Sequence, residues 1–315
     1  MLVVLCPGQG SQTPGMLKPW LELDGVAEQL ALHSAATGLD LVEHGTNSDA
    51  ETIRDTAIAQ PLIVSAGLVA LNTLFPTDLD LRATVSLTAG HSVGEFTAAT
   101  VSGALTAEQT LMLVSARGRA MAAAAAAGPE TGMSAILGGN PDEVQSRLNE
   151  LDLVGANMNG AGQVVAAGTL EALAQLADNP PTRARVMPLK VAGAFHTDFM
   201  ASAVADVKKL IPSMSVRTPD IAMISNADAS LIETGPELLN HLVTQISNPV
   251  RWDLCQDRMG QAGVTGIIEL APGAVLSGLA RRTLPGVESV ALKTPADLEA
   301  AQDLVRRHTR AGDEA

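Results

Sequence analysis

Four short apolar runs in the sequence each end abruptly at turn-forming residues, and stretches with helical periodicity lie between them. The runs cover residues 2–6, 84–89, 221–225 and 266–270, and the clearest helical stretches cover residues 60–74 and 200–210. Short buried strands that alternate with helices are typical of an α/β architecture built on a mostly parallel sheet. The sequence therefore predicts an α/β core.

The middle of the chain has a denser pattern. Segments of strand and helix type alternate there, at residues 133–137, 141–151, 163–167, 170–177 and 185–191. Elements packed this closely predict a small split-βαβ subdomain inserted into the larger one. Gly128-Pro129, after the alanine run, and Gly193 mark the predicted boundaries. Residues 1–127 and 193–315 are predicted to form the core subdomain, and residues 128–192 the small subdomain.

The composition excludes several classes of function. Aromatic residues make up 2% of the 315 residues, Tyr does not occur, and the formal net charge is −14. Nucleic-acid binding needs stacking surfaces or clustered Lys and Arg, so no nucleic-acid partner is expected. No apolar run approaches the roughly 20 residues that span a bilayer, so no membrane association is expected. Cys6 and Cys255 give neither a disulfide framework nor a metal-ligand spacing, which fits the cytoplasm.

The segment Gly90-His91-Ser92-Val93-Gly94 matches the G-x-S-x-G pattern of a nucleophile elbow. An apolar strand precedes it and a helix-forming stretch follows it, which is the context that the pattern requires. The flanking glycines remove side chains that would clash in so sharp a turn. We therefore predict that Ser92 is a nucleophile and that the N–H of Val93 faces the oxyanion that its attack creates.

A serine hydroxyl needs a base, and His196 is the best candidate of the six histidines. It follows an apolar run and precedes a new helix, whereas His91 is interpreted as a packing residue that points away from Ser92. A buried histidine without a catalytic role remains the alternative for His196. No acidic residue stands out as its partner, so a backbone carbonyl could orient the imidazole instead.

Arg117 lies on the apolar stripe of a predicted helix that opens with a capping box at Thr106. Burying a guanidinium without a partner costs several kcal/mol, so a partner is expected. One hypothesis is an internal salt bridge to an acidic residue of the chain. The other is that the substrate brings the anion and that Arg117 binds its carboxylate by two parallel hydrogen bonds.

Taken together, these motifs resemble the malonyl-CoA:acyl carrier protein transacylase family over nearly the whole chain. The matching segments are residues 7–12, 90–95, 117–118, 156–163, 193–196, 248–252 and 272–278. The resemblance implies an α/β-hydrolase-like core with a parallel sheet and an inserted ferredoxin-like α+β subdomain.

The resemblance also implies roles for individual residues. Ser92 would carry the acyl group, His196 would act as general base and then acid, and Arg117 would bind the substrate carboxylate. The N–H groups of Gln9 and Val93 would form the oxyanion hole. The remaining implied site residues are the main-chain carbonyl of Arg251, which would orient His196, and the pocket residues Gln60, Asn159 and Phe195, the last resembling the malonyl-selecting version of the family.

The implied reaction moves a malonyl group from malonyl-CoA to the phosphopantetheine thiol of acyl carrier protein by a ping-pong route, for fatty acid or polyketide synthesis. No metal or other cofactor is implied, and nothing in the sequence requires more than a monomer. Two alternatives remain open at this point: a serine hydrolase, and a non-catalytic protein on the same fold. The basic residues considered for carrier-protein docking are Lys190, Lys208, Lys209, Arg281 and Arg282.

Overall fold

The computed structural model describes residues 1–312 and contains two separate sheets. The strands are β1 (Leu2–Cys6), β2 (Val85–Gly90), β3 (Thr131–Gly138), β4 (Val154–Gly160), β5 (Gln163–Thr169), β6 (Ala184–Pro188), β7 (Ala222–Ile224), β8 (Gly266–Glu269) and β9 (Glu288–Ala291). The helices are α1 (Val26–Thr37), α2 (Leu41–Thr46), α3 (Thr56–Leu74), α4 (Asp78–Thr84), α5 (Gly94–Val101), α6 (Ala107–Ala127), α7 (Pro141–Glu150), α8 (Leu170–Asp178), α9 (Ala201–Lys208), α10 (Gly235–Thr244), α11 (Trp252–Gln261), α12 (Val275–Thr283) and α13 (Leu298–Gly312).

The larger sheet has five strands in the order β7-β2-β1-β8-β9, and every neighbouring pair is parallel. Every residue of β1 is buried, as expected for a central parallel strand covered on both faces. Successive β1 side chains enter different cores: Leu2 and Val4 pack on one face, and Val3 and Leu5 on the other. The predicted parallel α/β core is therefore confirmed.

Parallel pairing brings the carboxyl ends of the strands to one edge of the sheet. β1 pairs with β2 through Leu5 opposite Ala89 and Cys6 opposite Gly90, so the segments after these strands begin side by side. Residues that follow β1, β2, β7 and β8 therefore meet at this edge, which is where open α/β sheets place their sites.

The smaller sheet is antiparallel, with strand order β4-β5-β3-β6. With α7 after β3 and α8 after β5, the element order βαββαβ and this strand order make a ferredoxin-like unit, as predicted. All four strands lie within the segment predicted as the small subdomain, whose boundary residues remain a prediction. Strand β4 was not expected from the sequence, and it joins the two units because Met158 N–H donates to the Val250 carbonyl at 2.9 Å.

Helix α3 crosses the core. It is long and apolar enough to span a membrane by length and composition alone, which the sequence interpretation did not anticipate, but 78% of its most apolar window is buried inside the protein. His33 of α1 packs beside it, and the His33 Nδ1 lies 2.8 Å from Ser65 Oγ. His33 is only 4% exposed, so it belongs to the core although its sequence neighbours are typical of a surface helix.

Candidate active site

Ser92 occupies a sharp corner between β2 and α5. Its φ is +52°, a left-handed conformation that is rare for a residue with a side chain. A Cβ at Gly90 would lie 2.0 Å from the Gly94 carbonyl carbon, and one at Gly94 would lie 2.1 Å from the Cys6 oxygen. Only glycine fits at either position, so the two glycines of the pattern allow the corner that presents Ser92. The predicted strand–turn–helix geometry is confirmed.

His196 is placed as a base for Ser92. Its Nε2 lies 2.7 Å from Ser92 Oγ, and its Nδ1 lies 2.6 Å from the main-chain oxygen of Gln245. A carbonyl oxygen only accepts, so Nδ1 carries the proton and Nε2 is left to accept the serine proton. His196 also has a left-handed φ of +61° and is 3% exposed, so its ring is held in one place.

The prediction that the Arg251 carbonyl orients His196 is wrong. That carbonyl accepts the N–H of Cys255 at 3.2 Å in the first turn of α11, whereas the acceptor for His196 is the Gln245 carbonyl. The Arg251 side chain pairs with Asp253, with its NH2 2.9 Å from the carboxylate. The idea that a backbone carbonyl replaces the acid of a triad agrees with the geometry, but the residue is a different one.

Arg117 is fully buried directly beside Ser92. One terminal nitrogen, Nη2 (NH2), donates to Gln245 Oε1 at 2.6 Å and lies 3.4 Å from Ser92 Oγ. The guanidinium carbon lies 5.7 Å from the centre of the Phe96 ring. The other two nitrogens, Nε and NH1, have no hydrogen-bond partner among residues 1–312. Within that range no carboxylate lies within 4.0 Å of the guanidinium, so the hypothesis of an internal salt bridge is not supported.

Burial controls the charges at this site. It lowers the pKa of His196 to about 3, with the positive charge of Arg117 as the second cause. Burial also lowers the pKa of Arg117 to about 9, an effect that the negative charge of Glu95 opposes. Burial raises the pKa of Glu95 to about 7, against the stabilising effect of its hydrogen bonds and of Arg117. His196 is therefore neutral near pH 7, and Arg117 keeps its charge.

The two predicted oxyanion donors lie on neighbouring corners of the sheet. Gln9 follows β1, and Val93 is the residue that caps the start of α5. Neither main-chain N–H has an acceptor among residues 1–312. A Cβ at Gly8 would lie 2.5 Å from the His91 oxygen, which shows how closely the loop after β1 approaches the elbow. Both N–H groups are available to an oxygen that develops negative charge beside Ser92.

A cavity of about 510 Å³, here the Ser92 cavity, lies between the two sheets. Ser92 and His196 line it together with all three predicted pocket residues, Gln60, Asn159 and Phe195. Arg117 is not exposed in this cavity. The other lining residues that are discussed below are Gln9, His91, Arg54, Met121, Gln163, Lys190 and Leu276.

His91 lines the Ser92 cavity, but its ring makes no hydrogen bond to Ser92 or His196 among residues 1–312. Its Nε2 lies 2.9 Å from Asn159 Oδ1, and its ring packs edge-on against Trp252. Because Asn159 belongs to β4, this contact ties the elbow to the small sheet.

Gln60 makes few polar contacts inside the cavity. Its Nε2 faces Met121 Sδ at 3.5 Å, and its buried Oε1 has no hydrogen-bond partner among the described residues.

Three polar residues of the site were missed by sequence reasoning. Asn226, after β7, accepts the Ser92 N–H at 2.7 Å and donates to the Gly90 carbonyl at 2.6 Å, which clamps the elbow. Gln245 contacts both Arg117 and His196, and Glu95 contacts Asn226 and Gln245. The only sequence signal was position: Asn226 directly follows an apolar run, at the edge where the strands end.

The basic residues considered for docking lie in different environments. Lys190 lines the mouth of the Ser92 cavity, and Arg282 donates to Gln163 of its lining at 3.1 Å. Lys209 pairs with Asp206 at 2.7 Å. Lys208 and Arg281 are exposed and do not line the cavity. No group of three or more His, Cys, Asp or Glu side chains in residues 1–312 could hold a metal ion.

A hydroxyl, a neutral imidazole that can accept its proton and two free N–H groups beside them are the arrangement that serine-dependent acyl-group chemistry requires. Comparison with known proteins agrees. The family model of the acyl transferase domain matches residues 3–303. The chain belongs to the acyl transferase domain family, and it is an acyltransferase.

The relatives cover the chain almost completely. The malonyl CoA-acyl carrier protein transacylase of Mycobacterium tuberculosis is 47% identical over 304 residues, which are 96% of this chain and 100% of the relative. The enzyme of that name from Bacillus subtilis is 32% identical over 312 residues, 95% of this chain and 96% of the relative. The predicted resemblance to malonyl-CoA:acyl carrier protein transacylases is confirmed.

Solved structures give the same result. The crystal structure of MCAT from Mycobacterium tuberculosis superposes with a TM-score of 0.92 at 47% identity, covering 96% of this chain and 99% of that one. A type II PKS acyl-carrier protein in complex with its malonyl-transacylase superposes with a TM-score of 0.87 at 27% identity, covering 96% and 99%.

Proposed function

We propose that the protein transfers a malonyl group from malonyl-CoA to the phosphopantetheine thiol of an acyl carrier protein, through a malonyl ester on Ser92. The observation that carries the proposal is Arg117. It is a fully buried cation beside Ser92, with no carboxylate within 4.0 Å among residues 1–312 and with Nε and NH1 unpaired. A substrate with a free carboxylate supplies the missing anion, whereas a neutral acyl group leaves the cation unpaired.

In the first half-reaction, Ser92 Oγ attacks the thioester carbonyl while its proton passes to His196 Nε2. The carbonyl oxygen becomes an oxyanion and accepts the N–H groups of Gln9 and Val93. The C–S bond then breaks, and the proton on His196 passes to the departing CoA sulfur. Removal of one oxyanion donor typically costs about 10²–10³-fold in rate, so these two N–H groups supply a large part of the acceleration.

In the second half-reaction, the thiol of the carrier protein gives its proton to His196 and attacks the ester on Ser92. The same two N–H groups bind the second oxyanion. Ser92 leaves with the proton from His196, and the thioester of the carrier protein is formed. Each proton that enters the site leaves it, so no other co-reactant is needed.

Because Arg117 is not exposed in the Ser92 cavity, binding of a carboxylate requires side chains at the inner end of the cavity to shift. Gln60 and Met121 are the candidates, since both line the cavity and contact each other only through a long amide–sulfur contact of 3.5 Å. Uncovering Nε or NH1 would give the carboxylate unpaired donors without breaking the bond from Arg117 to Gln245.

The partner proposed for the second half-reaction is an acidic carrier protein. Lys190 and Arg54 line the cavity of an otherwise acidic chain, and they would contact the phosphopantetheine arm or the carrier surface. One neighbour in fold was solved in complex with an acyl-carrier protein, which supports this partner. We place the reaction in the cytoplasm and assign the monomer as the working unit.

The test is intact-mass analysis after incubation with malonyl-CoA. We expect one malonyl unit on Ser92, its transfer to an added carrier protein, and little free malonate. An absent adduct would contradict the proposal, and release of malonate as fast as carrier loading would show a hydrolase instead. In Arg117→Ala, malonyl loading is expected to fall and acetyl loading to compete, and an unchanged preference would remove Arg117 from its proposed role.

A further inference from the structure

Glu95 is a buried acid that the mechanism above does not use. It lies in the first turn of α5, is 1% exposed and follows Ser92 by three residues. A buried carboxylate is costly unless every oxygen is hydrogen-bonded. Its two oxygens accept from different parts of the site: Oε1 accepts the Asn226 N–H at 2.6 Å, and Oε2 accepts the side-chain amide of Gln245.

We propose that Glu95 is a positioning residue that acts through Gln245 to hold Arg117 and His196 at Ser92, and so sets the preference for an acyl group with a free carboxylate. The inference rests on the function proposed above. It adds a residue that touches neither the substrate nor the reacting atoms.

The first step of the argument is the orientation of the Gln245 amide. Its Nε2 donates to Glu95 Oε2 and, at 3.0 Å, to the Ser92 carbonyl, so both of its N–H groups are used. With the nitrogen fixed on that side, Oε1 must face the other way, toward Arg117 NH2 at 2.6 Å. A terminal amide can rotate by a half-turn, and an acceptor such as Glu95 is what decides between its two orientations.

The second step is the connection to the base. The residue whose side chain Glu95 fixes also supplies the main-chain oxygen that accepts from His196 Nδ1 at 2.6 Å. Through Asn226, Glu95 also reaches the Ser92 N–H, because the Asn226 side chain accepts it at 2.7 Å. Ser92, His196 and Arg117 are therefore each connected to Glu95 through one intervening residue.

The third step concerns replacement by the neutral isostere. In Glu95→Gln, one side-chain atom becomes an NH2 group that faces a donor, either the Asn226 N–H or the Gln245 amide. Rotation of the Gln245 side-chain amide relieves that conflict. It also turns the amide nitrogen, which can only donate, toward the positively charged guanidinium of Arg117. Arg117 then loses its closest hydrogen-bond acceptor, at 2.6 Å, and keeps only the longer contact of 3.4 Å to Ser92 Oγ.

The experiment compares malonyl and acetyl loading of Ser92 in the wild-type protein, Glu95→Gln and Glu269→Gln. Glu269 is the matched control, because it is also a buried carboxylate that accepts two N–H groups, those of Leu276 and Ser277, but it belongs to another corner of the sheet. In Glu95→Gln we expect the malonyl-to-acetyl ratio to fall by about 10-fold to 100-fold, as for a lost hydrogen bond to a charged group. In Glu269→Gln the ratio should be unchanged.

A double-mutant cycle with Gln245→Met tests whether Glu95 acts through Gln245. If it does, adding Glu95→Gln to Gln245→Met changes the malonyl-to-acetyl loading ratio little. If the two residues act independently, the fold-changes of the two single variants multiply in the double variant. Multiplying effects, or a Glu95→Gln protein that loses both loadings equally together with thermal stability, would overturn the inference. Failure of the wild-type protein to form any malonyl adduct would instead overturn the proposed function, so the two failures are distinguishable.

Discussion

Two strand-to-helix corners at the carboxyl edge of the parallel sheet share one design but differ in what their helix N-termini contact. β2 turns through Ser92 into α5, and the Val93 N–H there has no acceptor among residues 1–312. β8 ends at Glu269 before α12, and the Glu269 carboxylate accepts the first N–H groups of that helix at 2.9 and 2.8 Å.

Both helix N-termini favour negative charge, because their first N–H groups point outward along the helix dipole. At the β8 corner the protein supplies that charge permanently. At the β2 corner it supplies no negative group to the Val93 N–H, which stays available as a donor. In the proposed mechanism, the β8 corner stabilises the fold and the β2 corner stabilises a transition state.

The largest expected effect comes from the serine itself. Ser92→Ala should reduce malonyl loading by about 10⁴-fold or more, because the nucleophile is lost while the donors remain. Ser92→Gly should load equally poorly but be about 1 kcal/mol more stable than Ser92→Ala, since glycine adopts the left-handed conformation without strain. Intact-mass loading and thermal unfolding measure both, and equal stability of the two variants would argue against strain at this corner.

The second-largest effect on loading is expected from a glycine substitution in α5, compared with one in α12. Gly94→Ala would place a Cβ 2.1 Å from the Cys6 oxygen and force apart the segments that follow β1 and β2 and contain the N–H groups of Gln9 and Val93. If these are the oxyanion donors, loading should fall by about 10²-fold. Gly278→Ala in α12 meets nothing within 4 Å and should stabilise the protein by about 0.5–1 kcal/mol with loading unchanged. Similar losses in both variants would contradict the comparison of the corners.

The third effect is on stability alone. Glu269→Gln leaves one buried N–H of α12 facing a donor and should lower the free energy of unfolding by about 1–3 kcal/mol, with loading nearly preserved. Ser277→Ala is the control, because the buried Ser277 Oγ has no partner among the described residues and its removal should cost nothing. Denaturant unfolding measures both variants, and a stable Glu269→Gln protein would show that this carboxylate is not needed as a cap.

The smallest expected effect is a shift in pH dependence at the β2 corner. Protonated His196 cannot accept the serine proton, so the reactivity of Ser92 falls as the pH drops through the pKa of His196. Arg117 helps to keep that pKa near 3, and its removal should raise it. In Arg117→Ala, the acid limb of inactivation by a neutral sulfonyl fluoride should therefore move to higher pH. Arg119→Ala, which removes a neighbouring charge bonded to Ser115, should leave the limb in place.

Local sequence was sufficient for the parts of the site that short-range sterics dictate. The elbow at Ser92 follows from glycines that no other residue can replace, and the helix of Arg117 follows from the capping box at Thr106, which the structure contains. The small inserted subdomain follows from its closely alternating strand and helix segments, whereas its ferredoxin-like fold was implied by the family resemblance. Strand β4 was missed because Gly155, Asn157 and Asn159 are poor strand formers.

The long-range polar contacts could not be predicted in the same way. Every residue has the same main-chain carbonyl, so no side-chain pattern distinguishes Gln245 from Arg251 as the acceptor for His196. The link from Glu95 to Gln245 joins residues that are 150 positions apart. The sequence left two hypotheses for the partner of Arg117, and only the distances showed that no carboxylate of residues 1–312 contacts it.

The parallel sheet also has an opposite edge, where its strands begin. The amino group of Met1 donates there to Thr265 Oγ1 at 3.0 Å, just before β8. Ser92, Gln9 and Asn226 all follow the far ends of their strands. A reporter or surface tether fused ahead of Met1 would consequently emerge at the edge opposite Ser92, leaving the mouth of the Ser92 cavity unobstructed.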